Sequence, residues 1–197
     1  MAAGVRERAR DAFRNEVAEA MSTFFAERGF DDVTVEEAAR EVGISRATFF
    51  RYFGSKEDAV LAAIEASSVN YGAALEALPP VPGESPWQLL HRAFKRALVH
   101  QDEDSDRKRS RMRMINATPS LRARLVQRRL AHEDAVTRIL AQRINCPDAA
   151  RAVSVAALAA LDLAWRRWAD GEQPTLAGAV DAVFDQLAAA SASDAGG

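Results

Sequence analysis

One cysteine, Cys146, stands among 197 residues. A lone thiol excludes an intramolecular disulfide and any cysteine-based zinc cluster. No apolar run reaches the ~18 residues of a membrane-spanning helix. The opening MAAGVRERARDAF lacks the apolar core of a signal peptide. Cytoplasmic residence, with no membrane partner, is therefore the expectation. An excess of one charge is missing too, since the formal net charge is −2. Even residues 1–56 hold nine Arg or Lys against ten Asp or Glu, so bulk charge gives no nucleic-acid signal. HExxH, GxSxG, P-loop and Rossmann glycine fingerprints are absent. Of the three histidines, His91 and His100 would fall on opposite faces of one helix, and His132 sits beside Glu133 and Asp134. No catalytic constellation, metal site or cofactor motif emerges, and no internal repeat.

What the chain does have is helical pattern over nearly its whole length. Hydrophobic content of 48% and charged content of 27% suit a globular protein, and the length allows one or two units with a sizeable core. The most informative stretch is TVEEAAREVGISRATFFRYFGSK, Thr34 to Lys56. Thr34 with Glu37 three residues on is a capping box, which starts a helix at Val35. Gly43 supplies a turn, and Ser45 caps a second helix over Arg46 to Tyr52. Gly54 is expected to end it, and Ser55 caps a third helix from Lys56.

On the second helix, at about 100° per residue, Phe49 and Phe53 share one face while Ala47 and Arg51 lie roughly opposite. Thr48 and Tyr52 flank one side, Arg46 and Phe50 the other. A helix anchored through one face and offering a small residue, a hydroxyl and guanidinium groups on the other suits the DNA major groove. Ala47 permits close approach, Thr48 meets a thymine methyl or a phosphate, and Arg51 forks onto guanine O6 and N7. An ordinary three-helix packing unit with a solvated basic face fits the same spacing.

The segment closely resembles the helix-turn-helix of TetR-family (TetR/AcrR) transcriptional regulators. The residues that carry it are Val33-Thr34-Val35, Ala38-Ala39, Val42-Gly43-Ile44-Ser45, Thr48 to Phe53 and Ser55-Lys56-Glu57. The family usually has Tyr where Phe50 stands, and that hydroxyl commonly reaches a phosphate. The resemblance implies DNA contacts from Thr34, Ser45, Arg46, Ala47, Thr48, Phe50, Arg51, Tyr52 and Lys56. Lys56, at a helix N-terminus, is expected on a phosphate. Fold and function follow as expectations. The fold is all-α with about nine helices: a head at 1–65, a ligand-binding and dimerisation domain at 66–190, and a disordered tail at 191–197. The function is a homodimeric repressor released from a palindromic double-stranded DNA operator by a small-molecule effector. The alternative is a helical enzyme or a non-DNA-binding interaction protein.

Residues 1–7 read as a mobile arm whose Arg6, with Arg8 and Arg10 beyond it, could touch phosphates. Helix one then runs to Arg28 with a stripe of Phe13, Val17, Met21 and Phe24 packing on Ala38, Ala39, Val42, Phe49 and Phe53. The helix from Lys56 continues towards Tyr71 and is expected to belong to both domains, as the transmitter between them. LPPVPGESP, Leu78 to Pro86, is the main break. Further helices are expected at about 86–103, 106–117, 119–144, 148–170 and 175–190. Breaks fall at Thr118-Pro119, at Asn145 to Asp148, and at Gly171 and Pro174. The last two carry Ala156, Ala157, Ala159, Ala160, Ala164, Ala179, Ala182, Val183 and Leu187, and the resemblance implies that they form the dimer. Candidate effector-lining residues are Phe94, Leu98, Met114, Ile115, Leu121, Leu125, Leu158, Leu161, Trp165 and Trp168. A block from Arg107 to Arg129 holds nine basic residues and no acidic one, after the acidic run Asp102-Glu103-Asp104. It reads as solvated helix faces or as a site for an anionic ligand. A stretch at Met112 to Arg124 resembles TetR-type regulators associated with acyl-CoA or lipid metabolism, so acyl-CoA or an apolar compound is the expected effector.

Overall fold

A computed structural model describes residues 2–66, 68–99 and 105–193. Among them lie ten α-helices and no strand, in agreement with the all-α reading. They are α1 (Ala2–Arg28), α2 (Val35–Glu41), α3 (Arg46–Tyr52), α4 (Lys56–Ala66) and α5 (Tyr71–Glu76). There follow α6 (Pro86–Ala97), α7 (Ser105–Ala117), α8 (Pro119–Ile144), α9 (Pro147–Ala169) and α10 (Leu176–Ser193). The expected helix from Lys56 towards Tyr71 is two helices, which raises the count from nine. The Asn70 side chain accepts from the Ala73 N–H at 2.9 Å and starts α5 afresh. His100 and the acidic run at 102–104 lie outside the described residues, as does the end of the tail.

The chain divides into two compact units, one of Met1–Ser68 with Ser110–Leu125 and one of Val69–Arg109 with Val126–Gly197. This division is not the contiguous one expected from sequence, because residues 110–125 belong with the head. In the first unit α1 contributes Val17, Ala18, Met21 and Phe25 to the core. Phe25, not Phe24, is the fully buried ring, and Phe13 is exposed. Phe49 of α3, Phe53 just after it, and Ala38 and Ala39 of α2 pack against that stripe, while Val42 is partly buried. At about 1.5–3 kcal/mol for each large apolar side chain, these rings supply much of the unit's stability. Five consecutive residues of α4, Ala59 to Ala63, are buried. The middle of α4 is therefore enclosed, and its alanines let neighbours approach closely. Arg111, also buried, donates to Glu19 at 2.6 Å and so brings its charge into the unit with a partner.

The second unit is built on α9 and α10, with Ala157, Leu158, Ala160, Leu161, Ala164 and Trp168 buried on one and Ala179, Val180, Val183 and Phe184 on the other. Ser85 and Gln88 form a capping box, with Pro86 in the first turn, so α6 opens at the expected residue 86. It ends at Ala97, because the Leu98 N–H is shared between Phe94 O (3.1 Å) and Lys95 O (3.2 Å). That closes the helix short of the expected residue 103. Arg143 donates to the carbonyls of Leu75 (2.9 Å), Glu76 (3.0 Å) and Leu78 (2.8 Å), which satisfies the end of α5 and fixes the start of the proline-rich break. Asn145, with φ 52, takes the left-handed conformation that ends α8. At the termini, α1 begins at Ala2 and α10 runs to Ser193, so residues 2–7 and 191–193 are helical.

Candidate nucleic-acid interface

The Thr34 side chain accepts from the Glu37 N–H at 3.2 Å, and Glu37 Oε2 accepts from the Thr34 N–H (2.9 Å) and hydroxyl (2.7 Å). The Thr34 backbone bond and then its hydroxyl hold the Glu37 carboxyl below the usual carboxylate range. Gly43 has φ 73, in the region where a side chain would be strained, and there the chain turns between α2 and α3. Ser45 Oγ then accepts from the Thr48 N–H (3.1 Å) and donates to Thr48 Oγ1 (3.0 Å). Gly54 does not end α3 in a left-handed cap: Phe53 leaves the helix in extended conformation. A Cβ at Gly54 would come within 2.9 Å of Asp58 Oδ2, and Asp58 is held by Ser55 and Arg124. Close approach, not backbone freedom, explains this glycine.

With Phe49 and Phe53 buried, α3 exposes Arg46, Ala47, Phe50 and Arg51, with Thr48 and Tyr52 half-buried. Arg46 Nε lies 2.7 Å from Glu36 Oε1, and its guanidinium sits 5.3 Å from the centre of the Phe50 ring. The guanidinium of Arg51 lies 5.2 Å over the Tyr52 ring, and Tyr52 is itself tilted against Phe13 at 5.6 Å. The exposed Phe13, at the edge of the expected core stripe, thus serves as a brace for α3.

Lys56 differs from its expected role. Its ammonium donates to Phe30 O at 2.7 Å and Val33 O at 2.8 Å, and lies 4.6 Å from the centre of the Phe30 ring. Two of its three N–H groups therefore tie the α1–α2 connection to the start of α4. Its first role is that of an internal anchor.

The ten candidate lining residues are divided between the units. Met114, Ile115 and Leu121 are buried in the core of the first, with Leu125 packed against it. Phe94, Leu98, Leu158, Leu161, Trp165 and Trp168 belong to the second, where all but the half-buried Trp165 are buried. The basic block is divided likewise. Arg111 pairs with Glu19 and Arg124 with Asp58 in the first unit. In the second, Arg109 donates to Gln173 O (3.1 Å) and Pro174 O (2.6 Å), and Arg129 pairs with Asp162. These four charges are thus engaged inside one unit or the other and do not converge on one anion.

The second unit also gathers polar groups that the sequence reading did not connect. Burial pushes the Tyr71 hydroxyl up to about 12 against an opposing hydrogen bond with Trp165, and Asp162 adds to the rise. Burial likewise raises the Asp162 carboxyl, partly offset by Arg129, and lowers His132, helped by the charge of Arg128. Tyr71 is edge-on to Phe94 at 5.1 Å and to His132 at 5.8 Å. The available signal was Asp162 itself, a carboxylate inside the apolar run ALAALDLAW. His91, the remaining described histidine, stacks on Phe184 at 4.8 Å and meets Asp181 at 2.8 Å.

Residues 19–63 match the family described as bacterial regulatory proteins, tetR family. Residues 84–192, more than half of the chain, match the MftR C-terminal domain. The chain is 35% identical over 147 residues to the HTH-type transcriptional regulator TcmR of Streptomyces glaucescens, covering 71% of this chain and 64% of that relative. It therefore spans less than two thirds of the TcmR length. It is 26% identical over 193 residues, 92% of each chain, to a Mycobacterium tuberculosis protein named as a mycofactocin biosynthesis transcriptional regulator, MftR. Among solved structures, the TetR-family regulator PfmR of Thermus thermophilus shares the fold at TM-score 0.53 and 22% identity, covering 86% of this chain and 94% of its own. A Clostridium perfringens protein named as a fatty acid metabolism regulator does so at TM-score 0.51 and 19% identity, over 85% and 94%. Two family matches that together span both halves of the sequence place this chain in the TetR family of DNA-binding bacterial regulatory proteins.

Proposed function

We propose that the chain acts as a homodimeric cytoplasmic repressor whose α3 reads a palindromic operator and whose second unit takes a small-molecule effector. The observation that carries this reading is the exposed face of α3, with Arg46, Ala47, Phe50 and Arg51 turned outward over the buried Phe49 and Phe53. Arg51 is assigned to guanine O6 and N7, Ala47 to the close approach, and Thr48 to a phosphate or thymine methyl. Thr48 Oγ1 already accepts from Ser45, so its own O–H remains as a donor for that contact. Ser45 and Thr34 act chiefly by capping, and Tyr52 by bracing Arg51.

Dimerisation is assigned to α9 and α10. Their buried faces are used within the chain, while Val155, at 40% exposure, and Leu187, at 42%, are apolar and face outward. A two-fold dimer then sets two α3 helices on half-sites about one helical turn, 34–36 Å, apart or in a related register. For the effector, the cluster of Tyr71, Phe94, His132, Asp162 and Trp165 combines aromatic rings with a few polar groups, which suits an apolar compound. The internal pairing of Arg109, Arg111, Arg124 and Arg129 argues against a coenzyme A phosphate as the primary anchor.

Release requires the effector to prefer the state whose α3 helices are wrongly spaced, a differential of about 1–3 kcal/mol. The expected transmitter α4 lies wholly in the first unit, whereas α7 and α8 each contribute residues to both. We therefore assign the coupling to α7 and α8. Selection of bound sequences from random duplex DNA tests the reading. Enrichment of a two-fold symmetric site supports it, and recovery of no shared sequence refutes it.

A further inference from the structure

Phe50 is an anomaly on α3. The core of the unit is complete without it, since Phe49 is fully buried and Phe53 is 2% exposed, yet Phe50 leaves 47% of its surface in water. At about 100° per residue it projects between Arg46 and Ala47, with Arg51 just beyond. An apolar ring thus lies within the exposed arc assigned to the DNA, beside its Arg46 edge. It is also held in place. Its ring meets Phe49 edge-on at 5.1 Å and 90°, and the Arg46 guanidinium covers it at 5.3 Å. Arg46 in turn pairs with Glu36 at 2.7 Å on the exposed surface. A side chain restrained before binding loses little freedom on contact.

The chemistry of a duplex narrows what such a ring meets. Phe50 has no hydrogen-bonding atom and offers nothing to a phosphate oxygen. On the base edges of the major groove, the apolar group is the 5-methyl of thymine. We propose that Phe50 reads a thymine 5-methyl group in each operator half-site. This rests on α3 being the DNA-reading helix, and it assigns a base-specific role to a position where a phenol would reach for the backbone. Recognition at that base pair is by apolar burial, beside the hydrogen-bonded readout of Arg51.

The test replaces each thymine of the selected operator, one at a time, by deoxyuridine, which deletes only the methyl group. Affinities are then measured for the full chain and for Phe50→Leu and Phe50→Ser. One thymine per half-site should bind the wild type about fourfold more tightly than its uracil counterpart, the weight of one buried methyl. Phe50→Leu should keep part of that ratio, and Phe50→Ser should reduce it to unity at that position alone. Equal ratios for wild type and Phe50→Ser at every position would overturn the proposal, as would a loss in Phe50→Ser independent of base. Failure to obtain any specific duplex would overturn the operator reading itself, upstream of the methyl contact. Because Phe50 is exposed, both variants should retain the wild-type thermal transition, which circular dichroism checks.

Discussion

Lys56 shows how far a residue's context alters its role. From sequence it is a positive charge at a helix N-terminus, the usual neighbour of a phosphate. In the fold its ammonium is held by Phe30 O and Val33 O and faces the Phe30 ring. Lys56→Ala should therefore destabilise the first unit by about 2 kcal/mol, the weight of hydrogen bonds from a charged donor. Urea denaturation followed by circular dichroism measures this. An unchanged midpoint with weakened DNA binding would return Lys56 to a purely phosphate-directed role. The same contrast explains what could be read at this scale. Phe49, Phe53, Ala38 and Ala39 were identifiable as core because a helical wheel fixes their face. Phe25 in place of Phe24 was not, because a shift of about 100° between neighbouring rings depends on which partners arrive from α3 and α4. Tyr71, His132 and Asp162 come from α5, α8 and α9, and no local pattern announces their meeting.

At the scale of elements, the sequence is most legible where structure is made by neighbours in the chain. The capping boxes at Thr34 and Ser85 and the left-handed Asn145 all involve residues within one turn of each other. The apolar pattern from Val60 to Tyr71 runs on through the division between α4 and α5, while Asn70 restarts the helix. Across the proline-rich break, Arg92 forks onto Glu84 with two bonds of 2.7 Å and also donates to Pro79 O at 3.1 Å. The hydrogen bonds from Arg92 hold the Glu84 carboxyl below its ordinary value of 4.5, outweighing the opposing effect of burial. A carboxyl whose folded value lies below its unfolded one stabilises the fold above the ordinary carboxylate range. That contribution is lost as pH falls through the depressed value. Glu84→Gln should accordingly be less stable than wild type at neutral pH, and the two should converge in acid. Thermal unfolding across that range provides the check, and a difference independent of pH would mean that the fork contributes no charge-linked stability.

For the whole molecule, the sequence located the helix-turn-helix but not the boundary of the unit that carries it. Residues 110–125 join that unit from far along the chain, and the bond from the buried Arg111 to Glu19 helps to hold them there. A contiguous reading cannot find such an insertion, because the apolar spacing of α7 and α8 does not say which core they enter. The proposed dimer belongs to this scale. Leu187→Arg should convert the dimer to monomer in sedimentation at micromolar concentration and weaken operator binding, while leaving the helical content intact. A dimer that persists would place the interface elsewhere. If the exposed face of α3 gives this chain its sequence specificity, Arg51→Ala should reveal it. Its affinity for the selected operator and for a scrambled duplex should be compared by anisotropy at fixed salt. Discrimination should fall by about 1–3 kcal/mol, with binding to the scrambled duplex changing far less. Equal loss on both duplexes, or an unchanged ratio between them, would contradict it.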